Sequence, residues 1–247
     1  MANHANYGID APEVVRRFLI LGILGVVIGI LLFYPMRSVI SPGLAKGFGS
    51  ASLWMGGTFL VVAAVMLWGS KFGKIRLAGK AIEALALKGD EIVLDVGCGH
   101  GLMLITVAKH LTTGRAIGID IWQKEDQAGN SAEATLANAR AEGVAERVEL
   151  KDADARQLPF ENESFDVVVS SWALHNIYER DGREKALREI ARVIKPGGRV
   201  AIIDIQHTIE YSHVLGQSGM VNVERSFPKF LFVIPSHILT ATKALRH

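Results

Sequence analysis

The 247-residue chain has a single cysteine, Cys98, and seven prolines. One thiol excludes a disulfide framework within the chain and a cysteine-built zinc site, and it fits a reducing compartment. The eight histidines are scattered without the spacing that ligates a metal, so no metal is expected. No internal repeat is visible. With 49% apolar residues the chain has ample material for a packed core, which excludes a disordered or low-complexity protein. The most informative absence is of charge. From Phe18 to Met36, and again from Gly47 to Ser70, there is no Asp, Glu, Lys or Arg.

A helix needs roughly 20 apolar residues to cross a hydrocarbon layer about 30 Å thick, and only a helix satisfies its own backbone there. Residues 1–70 therefore read as a membrane hairpin with spans at about 18–36 and 51–69. Pro35, Pro42 and Gly43 suit the connecting turn, and Tyr34, Trp54 and Trp68 sit near segment ends, where amphipathic rings favour the interface. Gly25 and Gly29 form a GxxxG, with Gly22 close by and Gly56 and Gly57 opposite, so the two spans can pack closely. Core helices of a soluble domain are one other reading, against which 24 uncharged residues speak, and a signal peptide is another for the first stretch. No small-x-small cleavage site follows it closely, however, and a second apolar stretch does.

The formal net charge of +2 averages two unlike segments. Residues 1–77 hold seven Lys/Arg against two acids, whereas the remainder holds 20 against 23. Outside the spans lie Arg16, Arg17, Lys71, Lys74, Arg76 and Lys80, against Arg37 and Lys46 in the turn. The positive-inside bias then predicts a multi-pass protein of the cell membrane with both ends cytoplasmic. A mildly acidic second segment without a basic stripe argues against a nucleic-acid partner.

From residue 71 to 247 the pattern changes to strands alternating with helices. An amphipathic helix over 71–88 precedes a short buried-type strand, Glu91 to Val96. Further strands are expected at Arg115–Asp120, Arg147–Leu150, Phe165–Ser170 and Arg199–Ile205. Helices are expected after Gly101, from Asn130 or Ser131 to Gly143, and over Arg183–Ile194, the last broken by Lys195-Pro196-Gly197-Gly198. That order predicts an α/β fold, a doubly wound Rossmann-like sheet, preceded by the two transmembrane helices.

The sharpest local feature is Asp95-Val96-Gly97-Cys98-Gly99-His100-Gly101, at a strand-to-helix turn. Its glycines let the backbone bend tightly and approach a ligand. A carboxylate beside this loop repels a pyrophosphate and welcomes a cation. The loop also lacks the longer GxGxxG spacing of dinucleotide sites, because Leu102 stands where the last glycine would be. Asp120, at the end of the second strand, is placed to accept hydrogen bonds from ribose hydroxyls.

The run VLDVGCGHG at 93–101 resembles motif I of class I S-adenosylmethionine-dependent methyltransferases, and GIDIW at 118–122 resembles their acidic ribose-binding strand end. DARQLPF at 154–160, SFDVVVSSWALHNI at 164–177 and LREIARVIKPGGRVAIID at 187–204 are similar to the later blocks, in order and spacing. The likeness covers about residues 78–247 and is nearest the type 11 small-molecule group, which includes quinone and sterol methyltransferases. It implies that Asp95, Gly97, Cys98, Gly99 and Gly101 hold the methionine end of S-adenosyl-L-methionine. It further implies that Asp120 takes the ribose, Ile121 or Trp122 lies against the adenine, Asp154 accepts from the adenine amino group, and Ala155 supports it through its backbone. Ser170 and Ser171, with Trp172, should border the methionine tail. The stretch Trp122 to Asn130 departs from the family in being longer and more polar, and leaves the Trp122 assignment open.

His175 follows the fourth strand, where the acceptor usually enters. It reads either as a catalytic group that orients or deprotonates the nucleophile, or as a hydrogen-bonded wall residue. Tyr178, His207, Tyr211 and His213 read as packing or surface, and His100 as pointing away from the chemistry. The hairpin runs into the second domain (71–247) without a long linker, so the expected acceptor is a lipophilic small molecule or lipid reached from the membrane. Phe227-Pro228-Lys229-Phe230-Leu231-Phe232 could dip into lipid, line the acceptor pocket or pack in the core. An apolar thiol acceptor and a non-catalytic cofactor-binding module are the alternatives.

Overall fold

A computed structural model describes residues 5–34, 39–123, 129–230 and 235–246. Ile9–Lys71 form one unit, and the chain up to Gly8 belongs with Phe72–His247 in the other. The expected boundary at residue 70 is therefore corrected at the amino end, where Asn6–Gly8 belong to the α/β unit and bond its Asn138 and Lys74.

In the first unit, α1 (Pro12–Phe33) and α2 (Pro42–Trp68) pair along their length. Pro42 and Gly43, expected in the turn, are instead the first turn of α2, because a proline at the first helical position lacks only an N–H that has no helical partner anyway. Pro35 and Arg37 lie outside the described residues. Helices of 22 and 27 residues are about 33 and 40 Å long. Their burial pattern is inverted relative to a helix in water. The buried positions are Val15, Gly22, Gly25 and Gly29 against Ala45, Gly49, Gly56 and Ala63, while Ile20, Leu24, Ile28 and Leu31 are about half exposed. Small residues inside and branched ones outside is the arrangement expected where the surroundings are as apolar as the side chains.

A Cβ on Gly56 would lie 2.6 Å from the Val26 nitrogen, and one on Gly25 would lie 2.8 Å from the Gly56 Cα. Gly57 has open space at the same place. Gly56→Leu should therefore separate the helices and lower the thermal midpoint in detergent, whereas Gly57→Leu should leave it unchanged. Equal midpoints for the two variants would contradict this packing.

In the second unit α3 (Lys74–Ala84) ends four residues before the amphipathic pattern does. The Arg199 guanidinium takes the Leu85 and Ala86 carbonyls, and Ala86 turns to a φ of 47°. Seven strands follow: β1 (Ile92–Val96), β2 (Arg115–Asp120), β3 (Val148–Asp152), β4 (Phe165–Ser171), β5 (Ile194–Asp204), β6 (Met220–Arg225) and β7 (His237–Lys243). They form one sheet in the order β3-β2-β1-β4-β5-β7-β6, parallel except for β7, which runs antiparallel to both its neighbours. Alternate residues separate the two faces. Val93, Val167, Val169, Ala201 and Ile203 pack under α3 and α4 (Leu102–His110). Leu94, Val96, Val168, Val200 and Ile202 pack under α6 (Arg180–Val193) and α7 (Thr208–Gln217).

Lys195–Gly198 ends α6 as its composition predicts, yet β5 starts already at Ile194. Ile194 pairs with Phe165 and pairing resumes at Arg199 with Val167, so the Pro-Gly-Gly segment is a bulge inside the strand and not a loop before it. Helix α5 (Ala132–Ala141) is capped as expected, by Ser131 Oγ accepting from the Ala134 N–H.

Candidate active site

The glycine loop connects β1 to α4 at the carboxyl edge of the sheet, beside the point where the strand order reverses from β1 to β4. Parallel α/β sheets bind ligands in such a crevice. Gly97, Gly99 and Gly101 all have positive φ, and a Cβ on Gly97 would strike that of Ala173, which brings the segment after β4 hard against the loop. The loop is held throughout. Gly97 and Cys98 donate to the Ile119 carbonyl, at 2.8 and 3.0 Å, Gly101 donates to Cys98, and Thr135 Oγ1 donates to the Gly99 carbonyl.

Asp120 is central to this scaffold. Its Oδ2 accepts from the Gly99 N–H at 2.8 Å, and its Oδ1 accepts from the Trp122 N–H at 2.7 Å and the Asn130 amide at 3.2 Å. Ile121, next to it, is 51% exposed and free to face a ligand. Trp122 has a positive φ, its indole N–H donates to Asp152, and its ring packs partly against the core. The Asp152 bond and the core contact fix the ring in that place. Residues 124–128 of the polar stretch lie outside the described residues. Asp154 is paired bidentately with Arg156, which holds its carboxyl below the usual range, so an adenine amino group would share an acceptor already engaged. Ala155 is half-buried beside it.

Ser170 is fully buried and its hydroxyl donates to the Val96 carbonyl, so it ties β4 to β1 and has no donor left for a ligand. Ser171 is half-buried at the strand end. Cys98 contributes only its backbone, because the side chain is buried toward Gly118 and its thiol is pushed up by burial and by the charges of Asp95 and Asp120.

Asp95 is the most unusual group. It is 1% exposed, and neither carboxylate oxygen has a well-formed hydrogen bond among the described residues. Burial pushes it up to about 8, with the Leu104 backbone N–H opposing and the Asp120 charge adding. A buried, unpaired carboxyl beside an open glycine loop is the site an ammonium group would satisfy. The sign of the pH effect follows. The folded, ligand-free protein holds the Asp95 proton that the unfolded chain releases, so this group makes stability fall as pH rises from its ordinary value of 3.8 to about 8. A cationic ligand reverses the preference. At pH 7 its binding should release about one proton, and affinity should rise toward pH 8 and then level off. Calorimetry in buffers of different ionisation enthalpy checks this. Asp95→Asn should release none, and proton release equal to the parent's would contradict the assignment.

Across the loop, His175 Nδ1 lies 2.6 Å from Asp204 Oδ1. Asp204, at the end of β5, is fully buried and accepts from the Ile205 N–H at 2.7 Å, the His175 N–H at 3.2 Å and the Tyr211 hydroxyl at 3.2 Å. Tyr211 is also fully buried; burial and the neighbouring Asp204 push its hydroxyl well up, so it stays a donor. Arg183 binds the Ile177 and Tyr178 carbonyls and pairs with Glu210, which steadies the chain after His175. Sequence reasoning missed Asp204 and read Tyr211 as packing or surface. The only available signal was an acid ending the fifth strand, at the same edge as Asp95 and Asp120. Among the described residues no cluster of three His, Cys, Asp or Glu is arranged to hold a metal.

Comparison with known proteins agrees with this geometry. Residues 94–202 match the family described as "Methyltransferase domain". The chain is 29% identical over 160 residues to a demethylmenaquinone methyltransferase of Lactobacillus johnsonii, covering 64% of this chain and 61% of the relative. It is 30% identical over 138 residues to the chloroplastic 2-phytyl-1,4-beta-naphthoquinone methyltransferase of Arabidopsis thaliana, covering 56% of this chain and 50% of the relative. The chain thus spans about half to three fifths of these relatives' own length. A solved structure of a SAM-dependent methyltransferase from Aquifex aeolicus shares the fold, with a TM-score of 0.53 at 22% identity over 69% of this chain and 97% of that one. The second unit therefore has a Rossmann-like fold and contains a stretch that matches a methyltransferase domain, and these findings support S-adenosylmethionine as its cofactor. The unpaired Asp95, the glycine loop and the Asp120 carboxylate fit that molecule's ammonium, methionine backbone and ribose.

Proposed function

We propose that this protein is a membrane-anchored methyltransferase that acts on a lipophilic small molecule or lipid at the cytoplasmic membrane face. The observation that carries the reading is the His175–Asp204 pair, two residues along the chain from Ala173, which abuts Gly97 of the glycine loop. The cofactor supplies a methyl already activated on a sulfonium, so the protein has to align the acceptor, exclude water and take up a proton. Alignment of that kind lowers a barrier by on the order of 7–11 kcal/mol in favourable cases. His175 Nδ1 lies 2.6 Å from Asp204 Oδ1 without the angle of a well-formed hydrogen bond, and Nε2 is left as the ring nitrogen to accept a proton from the acceptor.

Two relatives are quinone methyltransferases by name, which supports a lipophilic acceptor whose ring hydroxyl or adjacent carbon must lose a proton. Exposed Tyr178, Ile209, Phe227 and Phe230 support the same reading. Arg225 at the end of β6 bonds Thr208 at the start of α7, next in the chain to Ile209, while Leu231 and Phe232 lie outside the described residues. The glycine-faced hairpin with outward Leu and Ile supports the anchor. Lys74, counted among the flanking cations, is 2% exposed and bonded inside the domain, so it drops out of the charge argument. Both Tyr7 and Lys74 belong to the second unit and are hydrogen-bonded there.

The deciding experiment supplies isotope-labelled S-adenosylmethionine to the full chain in detergent with a membrane lipid extract. Label in an organic-extractable product is expected. Label confined to water-soluble acceptors, thiols included, would overturn the lipophilic assignment, and cofactor binding without any product would leave a binding module.

A further inference from the structure

We propose that the amino-terminal peptide Asn6–Gly8 is a strap that holds the cofactor loop in its binding shape, with Asn138 as the positioning residue that joins the two. The inference rests on the reading that Gly97–Gly101 receives S-adenosylmethionine. Asn138 lies on α5 and is 7% exposed. Its Oδ1 accepts from the Asn6 N–H at 2.8 Å, and its Nδ2 donates to the Asn6 carbonyl and the His100 carbonyl, both at 2.9 Å. Both amide protons are used, one on the strap and one on the glycine loop. Nδ1 of His100 also lies 3.3 Å from the Asn6 carbonyl oxygen. One turn earlier on the same helix, Thr135 holds the Gly99 carbonyl, and Asn130 ahead of the helix holds Asp120. The face of α5 thus grips the loop at successive carbonyls, and the strap closes the last of these contacts.

The strap is anchored from beneath. Nζ of Lys74, 2% exposed, donates to the Tyr7 carbonyl at 2.7 Å and the Gly8 carbonyl at 3.0 Å. A buried ammonium demands acceptors, and these two carbonyls supply them. The Tyr7 ring packs on the core shared by α3 and α4, and burial pushes its hydroxyl well up. Gly8 directly precedes the apolar unit at Ile9, and Lys74 follows its end at Lys71. The two strands of chain that leave and re-enter the hairpin are therefore bonded to each other, and one of them to the cofactor loop. Order at the loop is coupled in this way to the peptide that leads into the membrane segment.

Calorimetric titration of the full-length protein with S-adenosylmethionine tests this. Asn138→Asp keeps the acceptor for the Asn6 N–H but sets a carboxylate oxygen against two carbonyls, and should weaken cofactor binding about tenfold or more. Asn6→Pro removes one N–H and alters only the strap; it should weaken binding several-fold. Asn6→Ala keeps the backbone contacts to Asn138 and loses only the bond from the Gly8 N–H to Asn6 Oδ1, and should weaken binding less than Asn6→Pro does. Amide exchange should quicken at Gly99–Leu102 in the first two variants and stay unchanged in the sheet. A loss of thermal midpoint with cofactor affinity unchanged in Asn138→Asp and Asn6→Pro would reduce the strap to packing and overturn the proposal. Should Asn138→Asp fail to fold, Asn6→Pro decides alone. Failure of the parent protein to bind S-adenosylmethionine would instead overturn the cofactor reading, and the strap with it.

Discussion

His175→Ala should slow methyl transfer by about 10²- to 10⁴-fold, the range for losing a positioned general base. Its affinity for S-adenosylmethionine should stay at the parent value, because the cofactor loop is built from other residues. Asp204→Asn should fall in the same direction. It removes the charge beside Nδ1 of His175 and presents an N–H₂ to a site surrounded by the Ile205, His175 and Tyr211 donors. Tyr211→Phe deletes one hydrogen bond to Asp204 and should cost about tenfold or less. The measurement is initial rate of label transfer at saturating cofactor, with binding checked in parallel. Full activity in His175→Ala would return that residue to the role of a wall.

Asp120→Ala should abolish measurable cofactor binding, a loss of at least about 100-fold. The carboxylate does more than await a ribose. It accepts from Gly99, Trp122 and Asn130 in the ligand-free protein, so its removal frees the loop and deprives the ribose of an acceptor together. Hydrogen bonds to a charged acceptor are worth roughly twice neutral ones, which is why one side chain carries so large an effect. Asp120→Asn separates the two contributions: it retains the shape and one acceptor oxygen, and should bind more weakly than the parent but better than Ala. Unchanged affinity in Asp120→Ala would sink the ribose assignment.

The strand and helix order was legible because it rests on local periodicity. Val167–Val169 read as strand from three consecutive β-branched residues, and the 97–101 loop read as a turn from its glycines. The misplaced edges have a common cause. The end of α3 is set by Arg199, more than a hundred residues away, and the start of β5 by pairing of Ile194 with Phe165. At the site, the residues that recur in a motif were legible, and their partners were not. His175 and Asp204 are 29 residues apart, and Asn6 and Asn138 are 132 apart.

Sequence alone determined that this chain divides into a charge-free, glycine-bearing hairpin and an alternating α/β segment, and that the segment carries an acid–glycine loop suited to a cation. Those properties are local: hydropathy over 20 residues, φ freedom at a glycine and charge two positions away act on neighbours in the chain. Only the tertiary structure decided the rest. The order β3-β2-β1-β4-β5-β7-β6 puts the ends of β1, β4 and β5 together, which buries Asp95 until it holds its proton and brings Asp204 to His175. It also brings the amino-terminal peptide onto the cofactor loop. Hydrogen bonds and desolvation act over a few ångströms, so which distant residues feel them depends on how the sheet is wound.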